Sequence, residues 1–349
     1  MTMEDGRVAT LVMQWQQEYG RSHLPWQQSL DPYRIWLSEI MLQQTQVRTV
    51  LDYFPRFLER FADVRTLAAA SQDEVLSMWS GLGYYSRARN MHRCAQQVVA
   101  AHDGVFPSSV LALEALPGIG RSTAGAIAAF CFGERAPILD ANVRRVLTRL
   151  LGFGEDLAVA SNERKLWQRA TDLLPNNQLT QAMPRYTQGM MDLGAMVCLP
   201  RRPLCGQCPL QSECRALQQG AQEMYPVRTR KLVRRSEAWW LLVLRDGQGR
   251  VWLQRRVSRG IWAGLYCVPV FLRYQDLVDH PLWSIALNRV EQPSFLHVLT
   301  HRDLHLHPVL AHAAQPVVMS ADEGAWLSAQ EWRQLGLPAP VRKLLEEAA

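Results

Sequence analysis

The chain has 349 residues, 48% of them hydrophobic and 20% charged, which suffices for two domains with separate cores. No apolar run approaches the roughly 18 residues of a membrane span. The acidic start MTMEDGRVAT has no apolar h-region, so no secretory signal peptide is expected. Net charge is +6, with 22 Lys+Arg against 21 Asp+Glu in residues 1–225 and 16 against 11 in 226–349. That balance permits a polyanion partner without demanding one. Arginine supplies nearly all the basic charge, and the lysines are Lys165, Lys231 and Lys343.

Apolar residues recur at three- and four-residue intervals over 7–19, 33–47, 49–61, 84–101, 120–131, 141–151 and 180–194, which predicts helices there. The breaks carry Gly81, Gly83, Gly104, Pro107, Pro117 to Gly120, Pro137 and Pro175. Strand-like runs are nearly absent, so residues 1–225 read as an all-α domain. A linker follows at 226–235, where Arg228 to Arg235 holds five basic residues and no acid. Beyond it, Trp239 to Arg245 and Val251 to Arg256 flank DGQG and predict a β-hairpin. Tyr266 to Phe271 and Phe295 to Leu310 also read as strands, and Ser328 to Leu335 and Pro340 to Glu347 as helices. Residues 236–349 are therefore a smaller α+β domain.

Three features carry chemistry. The first is Leu116-Pro117-Gly118-Ile119-Gly120 before a predicted helix. Its glycines let backbone approach a ligand, and the helix start presents free N–H groups to a phosphate. An ordinary glycine corner between helices has the same pattern. The second is a pair of carboxylates. Asp140 precedes an apolar-periodic run as a helix N-cap, which should keep it ionised. Glu39 sits among Trp36, Ile40 and Met41, which would raise its pKa; an ordinary solvated helix carboxylate is the alternative.

The third feature is Cys198, Cys205, Cys208 and Cys214, spaced C-x6-C-x2-C-x5-C within 17 residues. Zinc sites usually carry two C-x2-C steps or a His pair, and no His lies between Cys198 and Cys214. Four thiolates also suit a cubane iron–sulfur cluster, with one Cys per iron. A cluster, a zinc ion and four unlinked thiols all remain open on spacing alone. Cys94, Cys131 and Cys267 are scattered and odd in number, which suits a reduced cytosolic protein and no disulfide framework.

LPGIG, the Asp of ILDANVRRVL and the four-cysteine loop, in that order, resemble the helix–hairpin–helix DNA glycosylase superfamily. Within it, Trp36-Leu37-Ser38-Glu39-Ile40-Met41-Leu42-Gln43-Gln44-Thr45-Gln46-Val47 and Gly81-Leu82-Gly83-Tyr84-Tyr85 resemble the adenine DNA glycosylases. The resemblance runs through most of residues 15–215. It implies a mainly α helix–hairpin–helix domain of two lobes with a DNA cleft, and a 4Fe–4S cluster in the loop 198–214. It makes Glu39 the general acid, and base for water, and Asp140 the carboxylate that stabilises a cationic sugar. Leu116, Gly118, Gly120, Ser122 and Asn142 become DNA contacts. Gln44 and Tyr84 match wedge positions around the lesion pair, although Tyr84 could equally be core packing. Trp26, in Leu24-Pro25-Trp26, and Gln188 match the pocket for a flipped adenine, where Trp26 can stack and Gln188 can pair bidentately.

Ile261-Trp262-Ala263-Gly264-Leu265-Tyr266-Cys267-Val268-Pro269 resembles a Nudix fold. The paired-Glu helix of Nudix hydrolases is missing, so this domain is expected to read 8-oxoguanine. A Phe-Ser-His motif of the family reads Leu299-Thr300-His301 here, which makes Thr300 and His301 the reader residues. His297, His301, His305 and His307 lie close in sequence, and alternating strand spacing explains them without a metal. The expected substrate is double-stranded DNA with adenine opposite 8-oxoguanine or guanine. The expected enzyme is monomeric, bacterial, cytoplasmic and nucleoid-associated, with no membrane partner. Three rivals differ in chemistry. An endonuclease III type lyase needs a Lys where this chain has Ser122, and a Nudix hydrolase needs the missing acidic helix. A non-catalytic, cluster-bearing regulator has no use for Glu39 with Asp140.

Overall fold

The computed structural model describes residues 5–229, 233–313 and 324–347. Residues 230–232 of the basic linker, Lys231 among them, and the first four residues lie outside the described residues. The chain divides into two compact units. Met1–Ala68 joins Arg93–Lys231, and Ala69–His92 joins Leu232–Ala349.

The first unit is helical. Helices occupy Asp5–Tyr19, Pro32–Leu42, Val47–Arg60, Arg121–Phe132, Ala141–Leu151 and Leu179–Met196, where the apolar periodicity put them. The helix from residue 33 ends at Leu42 because Gln43 leaves the helical region with ψ 111 and Gln44 takes φ 56. Among the helices that escaped the periodicity, Ala160–Asp172 is the longest. Its buried residues are Leu166 and Ala170, too few to make a stripe. Val8, Val12, Leu147, Leu150, Met183 and Leu193 share one core, which fixes three of these helices against one another.

Two glycines position the chemistry. Gly118 has φ 78, a left-handed turn that Cβ-bearing residues disfavour. A Cβ on Gly125 would lie 2.4 Å from the Pro137 carbonyl oxygen, so helix Arg121–Phe132 packs directly on the extended segment that leads to Asp140.

In the second unit Gln72–Met78 is helical and is followed by the glycine-rich turn to Tyr84. Among the described residues eight strands follow: β1 Arg235–Arg245, β2 Val251–Arg255, β3 Tyr266–Cys267, β4 Val270–Phe271, β5 Ala286–Glu291, β6 Phe295–Val298, β7 Arg302–Ala313 and β8 Ala325–Leu327. They form one sheet in the order β3-β2-β1-β7-β5, with β4 on β1, β6 on β7 and β8 on β2. β1 and β7 run parallel from Arg235 opposite Arg302 to Arg245 opposite His312. Leu242, Leu244, Val309 and Leu282 form a core on this sheet.

The strand expectations need two corrections. Tyr266 to Phe271 is broken at Val268-Pro269, since proline has no N–H for a ladder. Phe295 to Leu310 is a hairpin rather than one strand, with Leu299, Thr300 and His301 at its turn, closed by Leu299 N–H donating to the Arg302 carbonyl at 2.8 Å. The predicted helices are Ala329–Arg333, capped by a reciprocal Ser328–Glu331 box, and Ala339–Glu347. Among the described residues no helix is long and apolar enough to cross a membrane.

Candidate active site

Glu39 lies on helix Pro32–Leu42, which starts with Pro32 at its first position and with the Asp31 carboxylate accepting from Tyr33 N–H at 2.9 Å. Trp36, Leu37 and Met41 on the same helix are fully buried. Glu39 faces a cavity of about 270 Å³ whose walls include Leu24, Trp26, Gln27, Ser38 and Gln188. Trp26 is buried and stands edge-on to Phe54, with ring centroids 5.5 Å apart. Burial pushes the Glu39 carboxyl up to about 8, and the charge of Asp140 adds to the shift.

Asp140 caps helix Ala141–Leu151 and accepts from Val143 N–H at 2.8 Å. Its pKa is also raised. Burial is the largest cause and outweighs the Val143 and Asn142 N–H bonds and the nearby Arg145 and Arg144. Burial thus outweighs the stabilisation that the helix start gives the Asp140 carboxylate. The charge of Asp140 favours the protonated form of Glu39.

Leu116, Gly118, Gly120 and Ser122 form the turn into helix Arg121–Phe132, with Gly120 as its N-cap and no side chain capping it. Leu116 is buried, and Ile119 N–H donates to its carbonyl at 3.2 Å. The Ser122 hydroxyl accepts from Leu139 N–H at 3.0 Å, which ties this turn to the Asp140 segment. Asn142 Oδ1 accepts from Arg145 at 2.9 Å. Gln44 sits at an exposed turn in the left-handed region, a strained conformation of the kind found at working sites.

The four cysteines line one small cavity of about 30 Å³ together with Arg149. Among the described residues no three metal-ligating side chains converge on a single-ion site. Arg149 is 2% exposed, and its guanidinium donates to Cys198 Sγ at 3.3 Å and to the carbonyls of Leu199, Pro200 and Gln222 at 2.6, 3.0 and 2.7 Å. A buried cation against thiolate sulfur suits a ligand set with net negative charge. Arg145 bonds the Cys198 carbonyl at 2.7 Å, so helix Ala141–Leu151 carries Asp140 at its start and braces the cysteine loop further on. Cys198, Cys205, Cys208 and Cys214 would hold the cluster as its thiolate ligands. Arg201, Arg202 and Arg215 on this loop are exposed.

In the second unit, Tyr84 and Thr300 share a hydrogen bond of 2.6 Å between their hydroxyls. Tyr84 is 43% exposed with φ 47, so it is not core packing. Both residues line a cavity of about 490 Å³ with His301, His297 and Trp262.

Of the residues expected from sequence, Glu39, Trp26 and Gln188 share a cavity, and Asp140 acts on Glu39 through its charge. Leu116 to Ser122 share a turn, the cysteines share a cavity, and Tyr84 meets Thr300 beside His301. Sequence reasoning missed Gln27, Arg21 and Asp192. Gln27 lines the Glu39 cavity with both amide atoms buried and without a hydrogen-bond partner. Its place beside Trp26 was the available signal. Asp192 stands four residues after Gln188 on one helix face, which was the signal for that pair.

This combination of a glycine turn, a capping Asp and a four-cysteine loop on helices defines a class. Residues 37–171 match the HhH-GPD superfamily of base excision DNA repair proteins, residues 198–214 the iron–sulfur binding domain of endonuclease III, and residues 240–347 the NUDIX domain. A solved thermostable thymine-DNA glycosylase shares the fold at 25% identity and TM-score 0.54, covering 62% of this chain and 98% of its own. An adenine DNA glycosylase of Buchnera aphidicola subsp. Acyrthosiphon pisum is 35% identical over 343 residues, 96% of each chain. The Homo sapiens adenine DNA glycosylase is 40% identical over 222 residues, 61% of this chain and 40% of the human one. The chain belongs to the adenine DNA glycosylase family, hydrolases of N-glycosyl bonds in base excision repair, and its cysteine loop holds a 4Fe–4S cluster.

Proposed function

We propose that this enzyme hydrolyses the N-glycosidic bond of adenine opposite 8-oxoguanine or guanine in duplex DNA, acting as a monomer without strand cleavage. Residues 1–225 are the catalytic domain and 236–349 the reader. The observation that carries this reading is Glu39, a carboxyl pushed up to about 8 at the wall of a cavity lined by Trp26, Gln27 and Gln188. Neutral adenine is a poor leaving group. The base leaves the stack for the cavity, Glu39 protonates it, the glycosidic bond breaks, and the Asp140 carboxylate stabilises the cationic sugar. Glu39, now ionised, takes a proton from the water that attacks the sugar.

Single-turnover release of adenine should be fast from duplexes with adenine opposite 8-oxoguanine, slower opposite guanine and negligible opposite thymine. Equal rates on all three would refute the mispair reading. Strand cleavage needs an amine to form an imine with the abasic sugar. Ser122 offers a hydroxyl committed to Leu139 N–H, and Arg144 is paired with Glu163 at 2.5 Å and stays a guanidinium. Of the lysines, Lys165 is paired with Glu155 at 2.7 Å and Lys343 with Glu347 at 3.5 Å. Borohydride should therefore trap little covalent complex in the same reactions. Efficient trapping mapped within residues 20–145 would show a lyase.

The reader assignment rests on the Tyr84–Thr300 hydroxyl pair. Thr300→Ala should lower the preference for 8-oxoguanine over guanine several-fold and leave release opposite guanine within about twofold. An unchanged preference would move recognition elsewhere. Point variants are the better test, because deleting residues 236–349 strips partners from 69–92: Ser77 and Tyr85 donate to the carbonyls of Arg333 and Leu337 at 3.3 and 2.9 Å.

A further inference from the structure

Asp192 lies wholly buried on helix Leu179–Met196, and its partners Arg21 and Gln188 line the Glu39 cavity. Its carboxylate accepts three donors. Arg21 gives its side-chain Nε to Oδ1 at 2.7 Å and its backbone N–H to Oδ2 at 2.9 Å. Gln188 Nε2 gives the third, to Oδ1 at 2.9 Å. A carboxylate can only accept, so the end of the Gln188 side chain that faces it must be the NH₂. That contact fixes the amide against rotation. Without it the amide could turn by 180° and exchange its donor and acceptor ends at little cost.

The orientation matters because Gln188 lines the cavity that holds Glu39. With Nε2 turned to Asp192, the carbonyl Oε1 is left as the acceptor, and the second N–H as a donor beside it. Adenine presents an amino donor next to a ring-nitrogen acceptor, and this pattern complements that arrangement. A 6-oxo purine presents a carbonyl where adenine has its amino group, and would set oxygen against Oε1. A second amide, Gln27, stands in the same cavity with Nε2 and Oε1 both buried and unpartnered. Buried polar atoms without partners are rare in folded proteins, and here they mark a wall that expects a polar ligand.

We infer that the Arg21–Asp192 pair is an orientation lock on Gln188, and that it makes the pocket select a 6-amino purine over a 6-oxo purine. Arg21 and Asp192 are positioning residues: neither is needed to touch the base, and both act through the amide. Arg21 also neutralises the buried carboxylate, so Asp192 can serve as an acceptor without leaving an unpaired charge. The inference rests on the adenine-release reading of the same cavity.

The test compares full-length wild type with Asp192→Asn in single-turnover reactions on two duplexes, adenine opposite 8-oxoguanine and hypoxanthine opposite 8-oxoguanine. An Asn at 192 can donate or accept, so either rotamer of the Gln188 amide is satisfied. The adenine-to-hypoxanthine rate ratio should fall by tenfold or more in Asp192→Asn. A purely structural defect would slow both bases in parallel and leave the ratio as it was, which would overturn the lock. Gln188→Met removes the amide and keeps both Arg21 donors on Asp192, so it decides the question even where Asp192→Asn fails to fold. Its ratio should fall to a similar level, and Asp192→Asn added to Gln188→Met should lower it no further. A ratio within twofold of wild type in Gln188→Met, or a further fall in the double variant, would refute the proposal. Wild type that releases neither base would instead sink the adenine-release reading beneath it.

Discussion

Glu39→Gln should bind duplex DNA with adenine opposite 8-oxoguanine as wild type does and release almost no adenine. The amide keeps the size and most contacts of the carboxyl but has no proton to give. General acid catalysis is worth roughly 10² to 10⁴-fold, and Glu39 also serves as the base for water, so the loss should reach the upper part of that range. Single-turnover release with saturating enzyme measures it, alongside affinity by titration. A variant rate within tenfold of wild type would remove Glu39 from the mechanism. The wild-type pH profile should report the same group. The acid form is the active one, so the rate should fall as pH rises through about 8.

Stability should move with that proton. The folded pKa of Glu39 lies above that of the unfolded chain, so its contribution is full below the unfolded value and is lost as pH rises through about 8. Gln has no charge to bury. Glu39→Gln should therefore melt higher than wild type at pH 9 and show no such advantage near pH 4.

Much of this site was legible in the sequence because it depends on local chemistry. The helix under Glu39 has Asp31 and Pro32 at its start and an apolar face, all visible as letters. The Asp140 cap, the left-handed glycine at 118 and the cysteine spacing are short-range features of the same kind. The interleaving of segments was not legible. Residues 69–92 fall within the stretch read as one all-α domain, yet they group with the sheet unit, and that depends on contacts such as Tyr85 with Leu337 across 252 positions. Strand β5 was missed because its burial runs from one buried residue straight into five exposed ones, so it has no alternation to read. The upward shift of the Asp140 pKa was not legible for a related reason. The cap could be read from sequence, but burial of the carboxylate by the fold could not, and burial prevails.

That balance at Asp140 leads to the second large effect. Asp140→Asn should keep the fold, because Asn caps helices about as well as Asp and its Oδ1 can accept the same Val143 N–H. It removes the negative charge that faces the cationic sugar. Removing one preorganised electrostatic partner of a transition state typically costs about 10² to 10³-fold, so single-turnover adenine release should fall by that much with DNA affinity retained. Stability should go the other way. The Asp140 pKa is raised in the fold, so its ionised form costs stability at neutral pH and its protonated form does not. Asp140→Asn should thus melt higher than wild type at pH 7.5, and the difference should vanish at pH 3. The wild-type rate should also fall as pH drops through the Asp140 titration, which gives a bell with Glu39 as its alkaline limb. A variant that is slower and also less stable at pH 7.5 would mean that Asp140 serves the fold first. A variant with near-normal release would leave the sugar cation to be stabilised by another group.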